Sequence, residues 1–206
     1  MRSRSVAIAG LILAGGEGSR WGGPKAFARL PGGCTFLEAC AETMRLADLN
    51  PVVATAPPDL EDFGIEGLET ISLPGPGLDM FASLRCGLTH LASDETWRAV
   101  VVLPVDHPLV AVGTVRLLGA ARGNVIPSYR GKHGHPVRLT RALAERIVAG
   151  ELPGPTLRDA LRTASPTDLE VDDDPDVVTN CNTQQALESA LHRRSTTKNS
   201  KLKTQN

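Results

Sequence analysis

We predict an α/β fold, a single Rossmann-like three-layer domain with a mostly parallel central sheet, from two runs of apolar residues. The first run covers residues 7–13 and leads directly into a glycine-rich loop, as the first strand of such a domain does. The second run, Ala99 to Leu103, is continuous, as expected for a central parallel strand covered on both faces. Segments with helical periodicity alternate with further strand-like runs along the chain.

The loop after the first strand reads L-A-G-G-E-G-S-R-W-G-G-P-K, from Leu13 to Lys25. Its glycines lack Cβ atoms, so successive backbone N–H groups can turn inward toward phosphate oxygens. An arginine then offers a planar fork, and a lysine a point charge, to the same oxygens. The residues concerned are Gly15, Gly16, Gly18, Arg20 and Lys25. The loop therefore predicts a nucleotide-phosphate site, although it matches neither the dinucleotide-binding nor the Walker-type glycine pattern.

The pattern L-A-G-G-x-G-x-R-x-G-x-x-K resembles the signature of the sugar-phosphate and molybdenum-cofactor nucleotidyltransferases. The resemblance implies that the loop backbone, from Leu13 and Ala14 onward, holds the nucleotide while Arg20 and Lys25 contact its phosphates. Trp21 stands where the family usually has an apolar residue, and we assign it no role. Motifs further along the chain favour the molybdenum-cofactor branch.

Length and charge limit the class of protein. The 206 residues suffice for one domain with a full core, and a net charge of −1 argues against a nucleic-acid or membrane-surface binder. Residues 193–206 carry five basic side chains and no acid, which leaves the rest of the chain at about −6. We therefore divide the chain into a nucleotidyltransferase domain over residues 1–193 and a disordered basic tail over residues 194–206. The four cysteines show no C-x-x-C spacing, which argues against structural zinc and predicts a reduced, cytoplasmic protein.

Helices and strands follow the loop in alternation. Thr35 begins a helix, with Glu38 three residues on as a capping box, and Asn50-Pro51 ends it. A second helix is predicted from about Asp79 to Leu91, where apolar residues recur at helical spacing. The remaining predicted helices cover residues 112–121, 141–149 and 156–163, with a terminal helix that ends near residue 191. The remaining predicted strands cover residues 51–55, 69–73, 125–129 and 177–180.

Asp106 is the candidate metal ligand. Pro104 stops the central apolar strand and Asp106 lies two residues beyond, so it should share the carboxyl edge of the sheet with the glycine loop. A carboxylate at that edge can hold Mg²⁺, whereas the alternative is a turn or helix-capping residue before Pro108. P-V-D-H-P-L also resembles the family's acidic metal-ligand motif. For His107 we expect a surface turn residue.

Ser83 lies in the first turn of the second helix. Its composition alone favours an ordinary early-helix serine. However, Gly77, Ser83, Leu84 and Gly87 resemble the family's G-x-S-L-x-x-G segment, which approaches the ribose and base. The resemblance therefore implies a nucleotide contact for Ser83.

The segment P-x-Y-x-G-x-x-G-H-P-V, from Pro127 to Val137, predicts a bent hairpin across the sheet edge. A single histidine in such a hairpin is more often a hydrogen-bonded turn residue than a catalyst. The segment closely resembles one that lines the acceptor side in the molybdenum-cofactor cytidylyltransferases. That resemblance implies a substrate-side role for His135.

Two polar groups lie near the end of the chain. The acidic run from Asp172 to Asp176 is interpreted as a solvated turn between two strands rather than a metal cluster. Asn182, just past the last predicted strand, resembles the position of the second metal ligand in the superfamily. The Asn180-x-Asn182 pattern resembles the guanylyltransferases, but the Pro-Glu that usually follows is absent.

These features predict a magnesium-dependent nucleotidyltransferase that joins a nucleoside monophosphate to molybdopterin and releases pyrophosphate. CTP is favoured as the donor because most motifs resemble the cytidylyltransferases, GTP is the alternative, and ATP should be poor. Molybdoenzymes that receive the cofactor are candidate partners. A sugar 1-phosphate or another small phosphate acceptor stays open, as does a non-catalytic nucleotide sensor or chaperone. The presence of both Lys25 and Asp106 favours an enzyme, since simple binding needs only the loop.

Overall fold

The computed structural model describes residues 7–203 except residues 17, 19, 20 and 59, with side chains up to residue 196. Within those residues, eight strands form one sheet. They are β1 (Ala7–Leu13), β2 (Val52–Ala56), β3 (Glu69–Ser72), β4 (Trp97–Pro104), β5 (Val125–Tyr129), β6 (Lys132–His133), β7 (Val137–Thr140) and β8 (Thr167–Glu170). Their order is β3-β2-β1-β4-β7-β5-β6, with β8 beside β5. The four strands from β3 to β4 are parallel, and β7 turns the sheet antiparallel at β4.

Helices cover both faces of the sheet and complete three layers. They are α1 (Phe36–Leu46), α2 (Met80–Ala92), α3 (Val112–Ala120), α4 (Arg141–Ala149), α5 (Leu157–Thr163) and α6 (Gln184–Lys203). Buried side chains of α1, α3 and α6 pack on one face, and those of α2, α4 and α5 pack on the other. The predicted α/β class is confirmed. Among the described helices, none combines the length and apolarity needed to cross a membrane.

The helix starts follow from side-chain caps. At α1 the Thr35 hydroxyl accepts from the Glu38 backbone N–H, and the Glu38 carboxylate accepts from the Thr35 N–H, so the predicted capping box is confirmed. At α2 the Asp79 carboxylate accepts from the Ala82 N–H at 2.7 Å. These caps satisfy N–H groups that the first helical turn leaves without partners.

Strand register brings the ends of β1, β2 and β4 to one edge. Leu13, the last residue of β1, pairs with Thr55 of β2 and with Pro104 of β4. The Val105 N–H also donates to the Leu13 carbonyl at 3.1 Å. The glycine loop and Asp106 therefore begin at the same level of the same sheet edge, as predicted.

The predicted last strand is wrong, because residues Pro175–Val178 form a 3₁₀ helix. The prediction of a solvated acidic turn is also wrong for two of its residues, since Asp174 and Asp176 are buried. The Asp174 carboxylate accepts from the Thr114 hydroxyl at 2.6 Å and from the Ala111 N–H at 3.0 Å. Buried carboxylates need such partners, and these are supplied by a helix distant in sequence.

The terminal helix also extends further than predicted. Its backbone is helical to Lys203 rather than ending near residue 191. Arg194, which we placed in a disordered tail, forms an ion pair with Asp176 (Nε to Oδ2, 2.6 Å) and donates to the Leu109 carbonyl. Arg194 is therefore anchored to the domain one residue past the predicted boundary, and the division into a domain and a tail stays a prediction. Residues 204–206 lie outside the described residues.

Replacing the anchoring cation should destabilise the fold. Burial raises the pKa of Asp176, and Arg194 opposes that shift. Arg194→Ala leaves a buried carboxylate without its ionic partner, so we expect the free energy of unfolding to fall by about 1–3 kcal/mol, measured by urea denaturation. The matched control deletes residues 195–206 and keeps Arg194. Because the Ser195 and Thr196 hydroxyls bond only carbonyls of their own helix among the described residues, this deletion should leave stability nearly unchanged. An equal loss in both variants would contradict the assignment.

Candidate active site

A cavity of about 280 Å³ opens at the carboxyl edge of β1 and β4. Its walls come from the glycine loop, the turn before α2, the first turn of α2 and the turn after β4. The lining residues are Leu13, Gly15, Gly16, Gly18, Lys25, Leu78, Asp79, Met80, Ser83, Pro104, Val105 and Asp106. The sheet edge therefore brings the predicted loop, the predicted metal ligand and Ser83 around one cavity.

The three predicted glycines of the loop differ in what a Cβ atom at each position would contact. A Cβ on Gly18 would lie 2.0 Å from the Gly23 carbonyl oxygen, and its φ of +62° is in the left-handed region that favours glycine. A Cβ on Gly15 would lie 2.2 Å from a methyl carbon of Leu73, so this position is closed by packing. A Cβ on Gly16 would meet no atom of the described residues within 4 Å, so this backbone faces open space in the described part of the loop. Gly16 thus fits close approach of a ligand best.

Two other loop predictions have different outcomes. Ala14 is buried, and its N–H donates to the Thr55 hydroxyl at 3.2 Å, so that N–H is already engaged within the protein. Arg20 lies outside the described residues, and its phosphate contact stays a prediction.

Ser83 is buried in the cavity wall and contacts a neighbouring strand. Its hydroxyl lies 2.9 Å from the Thr55 hydroxyl, which also accepts the Ala14 N–H. This small network joins the ends of β1 and β2 to the first turn of α2. Ser83 therefore has a structural role at the cavity, and its contact with nucleotide stays a prediction.

Lys25, Asp106 and Asn182 converge at one end of the cavity. The Lys25 ammonium donates to Asp106 Oδ2 at 3.1 Å and also to Asn182 Oδ1. The Lys25 and Asp106 side chains are 21% and 13% exposed, so their interaction is weakly screened. Lys25 comes from the 3₁₀ helix Lys25–Phe27, and Asp106 from the turn after β4. The three predicted residues are thus brought together from widely separated parts of the chain.

The backbone of Cys181 aligns these three side chains. Its N–H donates to the Asp106 carbonyl at 2.8 Å, and its carbonyl accepts from the Trp21 indole N–H at 3.1 Å. The Trp21 ring also packs edge-on against Phe36, with centroids 5.3 Å apart. Nothing in the sequence indicated a role for Trp21, because its indole N–H can be recognised as a hydrogen-bond donor only when the acceptor, the Cys181 carbonyl, is known.

Two histidines lie near Asp106, and the Nε2 atom of His107 is 4.0 Å from Asp106 Oδ1. His107 is 5% exposed, so the expectation of a surface residue is wrong, and its ring lies 5.2 Å from that of His135. Burial lowers the pKa of His107, and burial together with His107 lowers the pKa of His135 to about 4. Both imidazoles are therefore uncharged at neutral pH. His135 Nδ1 and Asp106 Oδ1 are buried without a hydrogen-bond partner among the described residues.

A second cavity of about 610 Å³ adjoins the first and contains His135. Leu13, Asp79 and Met80 line both cavities. The walls of the second cavity are mainly apolar residues of α2, β5, β7 and α5, and Arg158 and Arg162 also line it. His135 thus lies in a separate chamber beside the nucleotide-sized one, which fits the predicted acceptor side.

The oxygen donors fit a hard divalent cation. Asp106 has one buried carboxylate oxygen without a partner, and its other oxygen and the Asn182 amide oxygen already surround a cationic ammonium. Within the described residues, no group of three or more His, Cys, Asp or Glu side chains can hold a metal ion. A carboxylate plus an amide suits Mg²⁺, which keeps several waters and takes further oxygens from substrate phosphates.

Comparison with known proteins agrees with this arrangement. Residues 10–168 match the MobA-like NTP transferase domain family. A molybdenum cofactor guanylyltransferase from Rhodobacter capsulatus is 30% identical over 191 residues, covering 91% of this chain and 97% of the relative. This match extends past the family domain into the segment that carries Asn182.

Solved structures share the fold. The Mycobacterium tuberculosis H37Rv protein Rv0371c superimposes with a TM-score of 0.74 at 23% identity, covering 91% of this chain and 99% of that one. Molybdopterin-guanine dinucleotide biosynthesis protein A from Archaeoglobus fulgidus has a TM-score of 0.65 at 18% identity, covering 91% and 99%. At these identities, the likeness concerns the fold.

Removing the indole donor should affect the site more than the fold. Trp21→Phe keeps a ring against Phe36 but leaves the Cys181 carbonyl without its donor, so we expect turnover to fall about 3- to 10-fold, for a loss near 1 kcal/mol. The matched control is Trp97→Phe, since the Trp97 indole donates to the Leu91 carbonyl at 2.7 Å and does not line the active-site cavity. The control should lose stability and keep turnover per folded molecule. Equal turnover in the two variants would refute the positioning role of Trp21.

Proposed function

The chain belongs to the MobA-like NTP transferase domain family, and from that premise we propose that it transfers a nucleoside monophosphate to molybdopterin and releases pyrophosphate. The observation that carries the proposal is the convergence of Lys25, Asp106 and Asn182 beside the cavity that the glycine loop lines. A cation beside hard oxygen donors suits phosphoryl chemistry, in which positioning and charge neutralisation account for most of the rate.

The proposed step needs no strong base. A phosphate monoester is already an anion at neutral pH, and one of its oxygens attacks the α-phosphorus of the NTP. The bond from the α-phosphorus to the bridging oxygen breaks, and pyrophosphate leaves with the electron pair. Lys25 and Arg20 stabilise the negative charge that develops on the phosphates, while the glycine-loop backbone holds them in line.

We further propose Mg²⁺ as the cofactor, held by Asp106 and Asn182 together with substrate phosphates. When bound, the ion neutralises charge on the phosphates as pyrophosphate departs. Lys25 holds both protein oxygens in place in the ligand-free protein and is close enough to serve the phosphates afterwards.

The lining of the second cavity is suited to binding a flat heterocyclic acceptor. Its mainly apolar walls can cover the faces of a ring system, and Arg158 and Arg162 supply cations for an anionic acceptor. Arg162 pairs with Asp159 at 3.2 Å, whereas Arg158 has no ionic partner among the described residues. His135 lies on the wall of this cavity and is proposed as a substrate-side residue.

We propose GTP as the donor, because the curated relative with 30% identity is a guanylyltransferase. The Asn180-x-Asn182 pattern agrees with this choice. CTP, the donor predicted from the other motifs, is the second candidate, and the observation in its favour is that Ser83 lines the nucleotide cavity.

Pyrophosphate release with GTP, CTP and ATP, each with molybdopterin as acceptor, tests the proposed function. We expect GTP to exceed CTP and ATP in kcat/KM by at least tenfold, because a polar pocket penalises the wrong base by about 1–3 kcal/mol per unpaired group. A preference for CTP would overturn the guanylyl assignment and keep the reaction class. Lys25→Ala is the control for site-specific turnover, and we expect it to lose roughly 10²-fold or more, as expected when one charge donor is removed. No turnover with any of these donors would reject the proposal.

The metal assignment predicts unequal effects of its two protein ligands. A chelator should abolish turnover and Mg²⁺ should restore it. Asp106→Asn should raise the Mg²⁺ concentration needed for half-maximal turnover far more than Asn182→Ala, because a carboxylate binds Mg²⁺ more strongly than an amide. Equal effects would make Asn182 an equivalent ligand, and an unchanged Mg²⁺ requirement in Asp106→Asn would place the metal elsewhere.

A further inference from the structure

Asp79 is a carboxylate on the wall shared by the two cavities. It lines the nucleotide cavity and the acceptor cavity, in both cases beside Leu13 and Met80. Within the part of the chain that the structure describes, it is the one acidic residue that lines the acceptor cavity. Among the described residues that line the nucleotide cavity, the other acidic residue is Asp106, which belongs to the proposed metal and phosphate end. Asp79 thus carries the negative charge that is available where a heterocycle, rather than a phosphate, would lie.

The Asp79 side chain is held in place yet keeps free acceptor capacity. Its Oδ1 accepts from the Ala82 N–H at 2.7 Å, which fixes the carboxylate at the start of α2. A carboxylate has about four lone-pair positions, so Oδ2 and part of Oδ1 are left for a ligand. Within the described residues Oδ2 has no hydrogen-bond partner.

Exposed apolar side chains flank this carboxylate. Met80 is 56% exposed and Leu78 is 37% exposed, and both line the nucleotide cavity. Packing these apolar side chains against the face of a flat ring would remove apolar surface from water, which is favourable. The polar edge of the same ring could then hydrogen-bond to the Asp79 carboxylate. The arrangement therefore suits a planar heterocycle that presents hydrogen-bond donors along one edge.

Hydrogen-bond chemistry narrows the class of heterocycle. A fixed carboxylate is matched by two adjacent donors, and the ring N–H next to an exocyclic amino group supplies them in guanine. Cytosine and adenine place an amino donor beside a ring-nitrogen acceptor, and that acceptor repels the second carboxylate oxygen. A pterin, with its equivalent 2-amino-4-oxo edge, presents the same two donors as guanine. One carboxylate on a shared wall therefore recognises this edge in either cavity.

We propose that Asp79 is a specificity-determining residue that binds, through both carboxylate oxygens, the two adjacent donors on the 2-amino-6-oxo edge of guanine or on the equivalent 2-amino-4-oxo edge of a pterin. The inference rests on the proposed function for the identity of the two substrates. It also gives a physical reason for a guanine donor, because bidentate contact with one base edge is expected to favour the matching base by about tenfold or more.

The test is Asp79→Asn, because asparagine also caps helices and should keep the start of α2 intact. Its amide accepts from the ring N–H and donates to a 2-oxo group, so it reverses the preferred edge. In the nucleotide arm, affinities for GTP, ITP and XTP are measured by calorimetry. In the acceptor arm, affinities for pterin and for lumazine, its 2-oxo counterpart, are measured in the same way. Asp79→Ala is the control that removes both carboxylate and cap, and circular dichroism monitors the helix.

If Asp79 reads the base, wild type should bind GTP at least tenfold more tightly than ITP or XTP, and Asp79→Asn should shift the GTP-to-XTP ratio toward XTP by tenfold or more. If it reads the acceptor, the same shift should appear in the pterin-to-lumazine ratio. Unchanged ratios in both arms, with only a loss of stability, would overturn the inference and leave a helix cap. Because these are binding measurements, they are separate from pyrophosphate release, whose absence in wild type would instead reject the proposed function.

Discussion

The site depends on the two hydrogen bonds made by the backbone of Cys181. Through its N–H it holds the turn that carries Asp106, and through its carbonyl it holds the glycine loop by way of Trp21. The Cys181 residue is completely buried, so its backbone cannot move without disturbing the core. This fixes the neighbouring residue Asn182, whose side-chain oxygen accepts a hydrogen bond from Lys25.

Charge is distributed in this site according to the reaction proposed for it. Lys25 lies against two hard oxygens, whereas burial keeps the neighbouring imidazoles of His107 and His135 neutral. Neutral rings behind Asp106 avoid a further cation that would compete for its carboxylate. Such a site is suited to holding and balancing phosphate charge rather than to moving protons.

The sequence predicted the edge of the sheet that carries the site, because the carboxyl ends of adjacent parallel strands meet there. It did not predict the burial of Asp174, whose partners Thr114 and Ala111 are 60 and 63 residues away. A run of acidic residues is predicted to be solvated when its hydrogen-bond donors cannot be identified from the sequence. The same limit applies to Arg194. The basic composition of the C-terminal segment indicated solvated side chains, whereas Arg194 forms an ion pair with the buried carboxylate of Asp176. Local patterns thus indicated the elements and the loop, while the contacts that position them depend on tertiary structure.

Lys25 and Asn182 are 157 positions apart along the chain, which ties the chemistry to the order of folding. Contacts with so large a sequence separation require closure of a long loop, and they are costly to form before the sheet exists. A chain that ends before Cys181 keeps the glycine loop, Lys25 and Asp106, and lacks the Asn182 oxygen that also accepts from Lys25. The group of side chains around Lys25 is therefore complete only when the segment that carries Asn182 has packed against the sheet edge.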